Sequence, residues 1–397
     1  MRTGIATVPL DYGRCPKWLF QRMKRLARGI IIAIREEFGP DEILKRLSDP
    51  IWFQSFGCVL SFDWNSSGLT TTVMGALKEG LRGLENDLGI FICGGKGKTS
   101  RKTPDQIQEW GEFLGLSMEK IDKLIYTSKI TAKVDSNLIQ DGYQLYHHNL
   151  IFSKSGQWVV VQQGMREENS TARRYHWLST SLKNFIEEPH SGIISDVRSK
   201  PLNLTAKESK KNREISTELV KEEPKTFLRD IKLISKKLAP YRPALSEKGG
   251  AGAGSNTLIK QSRLTNFCEI ELKNVEFHYH PVLKEKFDLK RLKKIIEKAH
   301  FLGPKDFEQL LSFKGVGSKT IRALSLVSEI IYGAKPSYKD PARYSFAHGG
   351  KDGTPFFVKK DIYDDLLEVM EKGIRKSKIS NRERLEAQKR LSETFLK

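Results

Sequence analysis

The residues best suited to chemistry lie in a short stretch in the first half of the chain. Lys133 and Asp135 are followed by Asp141 and then by His147 and His148, all within sixteen residues. Carboxylates with a nearby lysine suit a divalent cation that activates water beside a phosphodiester, because the attacked group already carries negative charge. The stretch therefore predicts a nuclease-type catalytic site that uses Mg²⁺ or Mn²⁺.

Two more carboxylates are candidates for the same site. Asp63 is predicted to join Asp135 and Asp141 as a metal ligand, and Glu167 is predicted as a further catalytic group beside Lys133. No two of these carboxylates have a diagnostic spacing, so an alternative is that Asp135 and Asp141 serve only as cap and turn residues. Side chains of a strand alternate between its faces, so at most one of the two neighbouring histidines can point into such a site.

A second candidate site lies between two amphipathic stretches near the end of the chain, at 306–311 and 321–332. The sequence between them resembles the helix-hairpin-helix motif of DNA-binding proteins, although Ile321 is bulky where that motif usually has a small residue. Two glycines permit a tight turn and a close approach to phosphate, and N–H groups at the start of the second helix point outward to bind it. The alternative is a purely structural pair of helices. The residues predicted to bind nucleic acid here are Gly315, Val316, Gly317, Ser318, Lys319 and Thr320.

Basic residues elsewhere are also candidates for nucleic-acid binding. The glycine-rich segment 94–101 lies between an apolar strand and a helix that opens at Thr103, which is the layout of a loop that cradles an anion. It is not a nucleotide-hydrolysing Walker A loop, since Ile92 stands where that motif requires glycine. A flexible basic surface loop is the alternative. The additional predicted contacts are Lys96, Lys98, Arg101, Lys102, Arg173 and Arg174.

The overall charge favours a polyanionic partner. Lys and Arg number 68 against 48 Asp and Glu, which gives a net charge of +20, and most of the excess lies after residue 195. Such a field attracts DNA through its phosphates without sequence preference. The longest apolar run, 30–34, is too short to cross a membrane, and no signal-peptide core follows Met1, so a cytoplasmic protein without a membrane partner is expected. The sequence does not indicate an oligomeric state.

Composition divides the chain into three parts. All six tryptophans precede residue 180, and alternating stretches at 143–152 and 158–163 predict a hairpin, so 1–195 is expected to be an α+β domain whose sheet contains that hairpin. A Lys/Glu/Ser-rich segment, 196–265, is predicted to be a basic flexible linker with one amphipathic helix at 227–238. The remainder, 266–397, is predicted to be an all-α DNA-binding domain with the helix-hairpin-helix motif at 306–333.

Longer strings resemble one uncharacterised prokaryotic family, domain of unknown function 763. They lie at 62–72, 94–98, 140–148, 172–177 and 340–353, on both sides of the predicted linker. The resemblance implies membership of that family but no established activity.

Three functions agree with these features. The first is a metal-dependent nuclease in DNA processing or repair, and the second is a non-enzymatic DNA-binding or recruiting protein. The third is a helix-hairpin-helix glycosylase with abasic lyase activity. The resemblance implies for this third function that Lys319 is the Schiff-base nucleophile, with Asp340 as a somewhat late catalytic aspartate.

Overall fold

A computed structural model describes residues 15–60, 67–195, 199–238, 287–342, 368, 370–376 and 380–396. Asp63 and the string at 343–353 therefore lie outside the described residues. No helix in these ranges is long and apolar enough to cross a membrane.

The first described residues form four helices that share one apolar core. Helix α1 spans Lys17–Phe38, α2 Pro40–Ser48, α3 Pro50–Val59 and α4 Gly68–Leu81. Helix α1 starts directly after Pro16, buries an apolar stripe with helical spacing and stops before Gly39, which has φ +86°. A glycine in this backbone conformation ends the helix without steric cost. A single turn, α5 (Glu85–Leu88), leads into the sheet.

A five-stranded antiparallel sheet forms the centre of the N-terminal region. Its strands are β1 (Ile90–Lys96), β3 (Gln144–Ser153), β4 (Trp158–Arg166), β5 (Thr171–Leu178) and β6 (Gly192–Ile194), in the order β1-β3-β4-β5-β6. The predicted hairpin is confirmed as β3 and β4. A separate pair joins β2 (Ile139–Gln140) to β7 (Leu202–Asn203).

The two faces of this sheet pack against different helices. On one face, Ile92, Ile151 and Val161 belong to the core of α1 to α4, and we call this the α4 face. On the other, Leu150 and Trp177 belong to a core built with α6 (Thr103–Phe113) and α7 (Met118–Asn137), and we call this the α7 face. Helix α6 begins where Thr103-Pro104 predicted it.

The core of the α7 face continues into the C-terminal helices. These are α8 (Lys210–Lys221), α9 (Pro224–Leu238), α10 (Leu289–Leu302), α11 (Phe307–Ser312) and α12 (Ser318–Ile330). Phe227, Ile296 and Leu324 belong to the same apolar cluster as Trp177. A last helix, α13 (Asn381–Leu396), packs against α3. The molecule thus has an α+β N-terminal region with antiparallel sheets, and helices towards its C-terminus.

Part of the predicted linker 196–265 is folded. Within 199–238 the chain forms β7, α8 and α9, and it buries Leu219, Phe227 and Ile231. The average composition of this segment is highly charged because the outer faces of its helices are exposed to solvent. The smaller number of apolar residues on their buried faces changes that average little. The helix expected at 227–238 is confirmed as the larger part of α9. Residues 239–265, including the Gly/Ala run, lie outside the described residues.

Candidate functional site

Asp135 lies on α7 and is enclosed by hydrogen-bond donors from the sheet. Its carboxylate accepts from the Gln162 side-chain amide, from Trp177 Nε1 at 3.1 Å and from His190 Nε2 at 2.5 Å. The residue is only 1% exposed. A buried carboxylate needs such partners, because an unpaired charge in the interior is costly. The protein itself therefore occupies the positions from which Asp135 would hold a metal ion.

A chain of hydrogen bonds extends from Asp135 along the α7 face. Because the amide nitrogen of Gln162 donates to the carboxylate, its oxygen is left to accept from His148 Nδ1, 2.7 Å away. His148 Nε2 then accepts from the Ser128 hydroxyl at 2.9 Å. Burial lowers the pKa of His148, which keeps the imidazole neutral, as this arrangement requires.

Asp141 is paired with a buried arginine. Its carboxylate lies 2.6 Å from Arg173 and also accepts from the Tyr143 backbone N–H at 3.0 Å. The same guanidinium contacts Asp340 at 2.8 Å. Burial alone would lower the pKa of Arg173, but the two carboxylates, Asp141 foremost, raise it above its ordinary value. Asp141 thus joins the β2–β3 turn to β5, and Asp340 extends the ion pair to the end of the C-terminal helical segment.

The other predicted catalytic residues lie apart from these two. His147 points to the α4 face, because it alternates with His148 on β3, and it is 1% exposed. Glu167 is exposed in the turn between β4 and β5, and Asp63 lies outside the described residues. Within the described ranges no three acidic, histidine or cysteine side chains are grouped so that they could hold a metal ion. The metal site with Asp63 stays a prediction, but the structure separates His147 from Asp135 and Asp141 by the thickness of the sheet.

Lys133 has a different role from the predicted catalytic one. Its ammonium donates to the carbonyl oxygens of Leu311 at 2.7 Å, Ser312 at 3.1 Å and Phe313 at 2.7 Å. These carbonyls lie at the C-terminal end of α11, where a cation is favoured by the helix dipole. Burial lowers the pKa of Lys133. The lysine therefore fastens the segment predicted as a hairpin to α7.

That segment consists of two helices, α11 and α12, with a five-residue connection from Phe313 to Gly317. Gly315 has φ +100° and is exposed, as are Lys314 and Lys319. Val316 and Leu311 are buried between the helices, at 3% and 0% exposure, so the Val316 side chain faces the interior rather than a ligand. Gly317 precedes α12, and in the described chain no side chain caps this helix start. The partly exposed first turn of α12 is therefore available to an external acceptor.

A neighbouring helix adds cations that the sequence analysis did not select. A methyl group placed on Gly315 would lie 3.8 Å from Ile295 Cγ1 on α10. Arg291 and Lys298 are four residues before and three after Ile295, so they share its stripe of the helix, and both are exposed. The sequence at 289–302 could have indicated these cations, because it has the pattern of an amphipathic, lysine-rich helix. We call Arg291, Lys298, Lys314 and Lys319, around Gly315, the hairpin surface.

The remaining predicted basic contacts divide into exposed and buried residues. Lys98, Arg101 and Lys102 are exposed in a short 3₁₀ turn, Gly97–Lys102, that follows β1. Arg173 and Arg174 are 0% and 2% exposed. In this structure neither guanidinium can reach an external phosphate, because both lie inside the core beside β4. Their prediction as nucleic-acid contacts is therefore corrected by their burial.

Arg174 differs from Arg173 in having neutral partners. It donates from Nε to His176 Nε2 at 2.9 Å, from Nη1 to Thr70 Oγ1 at 3.2 Å and from Nη2 to Gln54 Oε1 at 2.8 Å. In the described part of the chain it forms no ion pair with a carboxylate. Burial lowers the pKa of its guanidinium.

Comparison with known proteins places the chain in a family. The family described as "protein of unknown function" (DUF763) matches residues 4–358, and the chain belongs to it. The match spans both the sheet and the helices α8 to α12. No curated protein and no solved structure matches the chain.

Proposed function

We propose that this chain is a DNA-binding protein that holds phosphate groups without sequence preference through the hairpin surface. The single observation that carries the proposal is the partly exposed start of α12, which no side chain of the described residues caps, beside the exposed cations of α10 and the connecting loop. The start of a helix offers backbone N–H groups and the positive end of the helix dipole, which suits a phosphate.

Rigid attachment of the loop supports this proposal. Lys133 donates to three carbonyls at its start, and Gln140 donates to the Ser318 carbonyl at 2.9 Å at its end. A loop whose backbone is already fixed loses little conformational entropy when a ligand binds. The N-terminal region thus orders the surface that would contact DNA.

The nature of the contacts supports nonspecific recognition. Lysine, arginine and backbone N–H groups bind phosphate oxygens, and these positions are the same in every sequence. The net charge of +20 would add long-range attraction and a strong dependence on salt. DNA processing or repair would fit this mode of binding.

The glycosylase alternative has weaker support from the geometry. Lys319 is exposed at the start of α12, as a Schiff-base nucleophile would need. Asp340, however, accepts from Arg173 and from the Ser199 backbone N–H at 2.9 Å, and its side chain is 5% exposed. An aspartate held in this way is poorly placed to act on a base. Borohydride trapping on abasic DNA would revive this alternative.

The test is fluorescence anisotropy with a labelled duplex and full-length protein. The variants are Gly315→Ala and Gly156→Ala, since both glycines are exposed and have positive φ, +100° and +87°. Both changes place a methyl group on a residue with positive φ, but only the first adds it where phosphate would approach. We expect about a tenfold or greater loss of affinity for Gly315→Ala alone. Equal affinity of the two variants would remove the hairpin surface from the account.

A further inference from the structure

The α4 face carries a row of basic and amide side chains across four strands. Lys96 on β1 pairs with His147 on β3, His147 pairs with Gln163 on β4, and Gln163 pairs with Arg174 on β5. Directly paired residues share one face of a sheet with Cβ atoms about 5 Å apart. We call these four residues the cationic row. It lies across the sheet from α7 and its contacts with the hairpin surface.

Two members of the row are fully satisfied by neutral groups. Gln163 donates to the Ser67 carbonyl at 2.9 Å and accepts from Thr70. Arg174 is held by His176, Thr70 and Gln54, all of which are uncharged. The positive charge of Arg174 is therefore positioned but not neutralised within the described residues.

His147 is the member of the cationic row whose hydrogen-bonding groups are not satisfied within the described residues. Both ring nitrogens are buried and make no hydrogen bond within the part of the chain that the structure describes. Burial lowers the pKa of His147, and a contact with the Asn149 side chain, two residues along on the same face, opposes this. The contact does not have the geometry of an ordinary hydrogen bond, and Asn149 Oδ1 is likewise without a partner within the described residues. A buried polar group without a partner points to a missing water, ion or ligand.

The surrounding charges decide which of these would fit. Lys96 is exposed at the end of the row, and its ammonium lies 5.9 Å from the Tyr146 ring centre. Lys78 of α4 donates to the Gly94 carbonyl and the Gln106 side chain, both at 2.8 Å, so its charge also has only neutral partners there. Of these cations Lys96 acts on the His147 ring, since its charge contributes to lowering the pKa of His147. A positive field of this kind repels a metal ion and attracts an anion.

We propose that Lys96 and His147 bind a phosphate group at this end of the sheet, with Arg174 and Lys78 supplying the positive field. Lys96 and His147 are directly paired on neighbouring strands, so we place one small anion in contact with both, while Arg174 lies two strands further, at about 10 Å. The phosphate is either a free small anion or the terminal phosphate of a nucleic-acid strand, since the contacting groups are the same.

The first experiment is calorimetric titration of full-length protein with inorganic phosphate at constant ionic strength. The variants are Lys96→Gln, His147→Gln and, as the matched loss of one charge, Lys154→Gln in the β3–β4 turn at the opposite end of β3. We expect saturable binding to wild type and Lys154→Gln, and a loss of about tenfold or more in the other two. Because Lys96 is exposed, its variant tests the site even if His147→Gln does not fold.

A second set of titrations distinguishes the two sources. It compares an oligonucleotide with a 5′-phosphate and the same strand with a 5′-hydroxyl, each against wild type and Lys96→Gln. A preference for the phosphorylated strand that disappears in Lys96→Gln identifies a strand end, whereas Lys96-dependent binding of inorganic phosphate alone identifies a free anion. The proposal is overturned if phosphate does not bind saturably, or if it binds Lys96→Gln and His147→Gln as well as wild type. A variant with Lys314→Gln and Lys319→Gln should keep this phosphate binding, which separates the result from that for the hairpin surface.

Discussion

The carboxylates of the α7 face and the cations of the hairpin surface lie in opposite environments. Asp135 and Asp141 are buried and surrounded by donors from the protein, whereas Arg291, Lys298 and Lys314 are exposed to solvent. Charges of the first kind stabilise a particular packing, and charges of the second kind remain available to a partner. The comparison teaches that burial and partners, rather than residue type, indicate where this molecule would meet its ligand.

Helix α7 shows how close the two regions are in sequence. Lys133 and Asp135 are two residues apart, but a helix turns by about 100° per residue, so they point to nearly opposite sides. Lys133 reaches the connection between α11 and α12, and Asp135 reaches the sheet. Lys133 and Asp135 thus make contacts in two separate places, and their joint catalytic role stays a prediction.

The largest expected effect comes from breaking the buried ion pair. Asp141→Asn should lower the free energy of unfolding by about 3 to 5 kcal/mol, because Arg173 would lose one of its two carboxylates in the interior. Glu168→Gln is the matched control, since it breaks the exposed Arg166–Glu168 pair and should cost less than about 1 kcal/mol. Chemical denaturation measures both. If Asp141→Asn is as stable as wild type, Asp141 is not a structural residue and its predicted catalytic role regains support.

Acid should destabilise the interior through its buried histidines. Burial lowers the pKa of His147 to about 3, and that of His176 lies well below its ordinary value for the same reason. Below about pH 6.5 the unfolded chain binds protons that the folded chain does not, so stability falls as pH falls. For His147 this lowers the free energy of unfolding by about 2 kcal/mol as the pH falls from 7 to 5. His147→Gln should flatten the dependence of unfolding free energy on pH, and an unchanged slope would show that His147 titrates normally.

A smaller effect is expected where the two regions meet. Lys133→Met should cost about 1 to 3 kcal/mol through the unsatisfied carbonyls of Leu311 and Phe313, and it should weaken DNA binding without removing a phosphate contact. Lys129→Met, one turn earlier on α7 and exposed, is the control for lost charge. Denaturation and anisotropy on both variants check this prediction. DNA affinity equal to that of the control would show that the loop does not depend on Lys133.

Local patterns predicted much of the secondary structure. The Thr103-Pro104 start of α6 and the alternation of β3 and β4 were sufficient for those elements. Alternation also placed His147 and His148 on opposite faces. Strand β7 and helix α8 were not predicted, because the apolar residues of this segment are few among charged ones. The burial of α8 also depends on α12, which lies far away in sequence.

The candidate site was less predictable for a physical reason. Asp135 is satisfied by His190, and Asp141 by Arg173, and such distant pairings are set by tertiary packing rather than by spacing. Whether Arg173 and Arg174 are buried likewise depends on which strands pair with β5, and this pairing is set by tertiary structure. The exposed hairpin surface was partly predicted, because a turn and a helix start are local features, whereas its neighbour α10 was not.

The salt dependence of DNA binding tests the central claim most directly. Plots of the logarithm of affinity against the logarithm of salt concentration should be measured for wild type, for a variant with Arg291→Gln, Lys298→Gln and Lys314→Gln, and for a control with Lys129→Gln, Lys154→Gln and Lys183→Gln. Each lost phosphate contact should reduce the slope by about 0.9. The account predicts a slope lower by roughly 2 to 3 for the hairpin-surface variant and nearly unchanged for the control. Equal slopes for the two triple variants would contradict it.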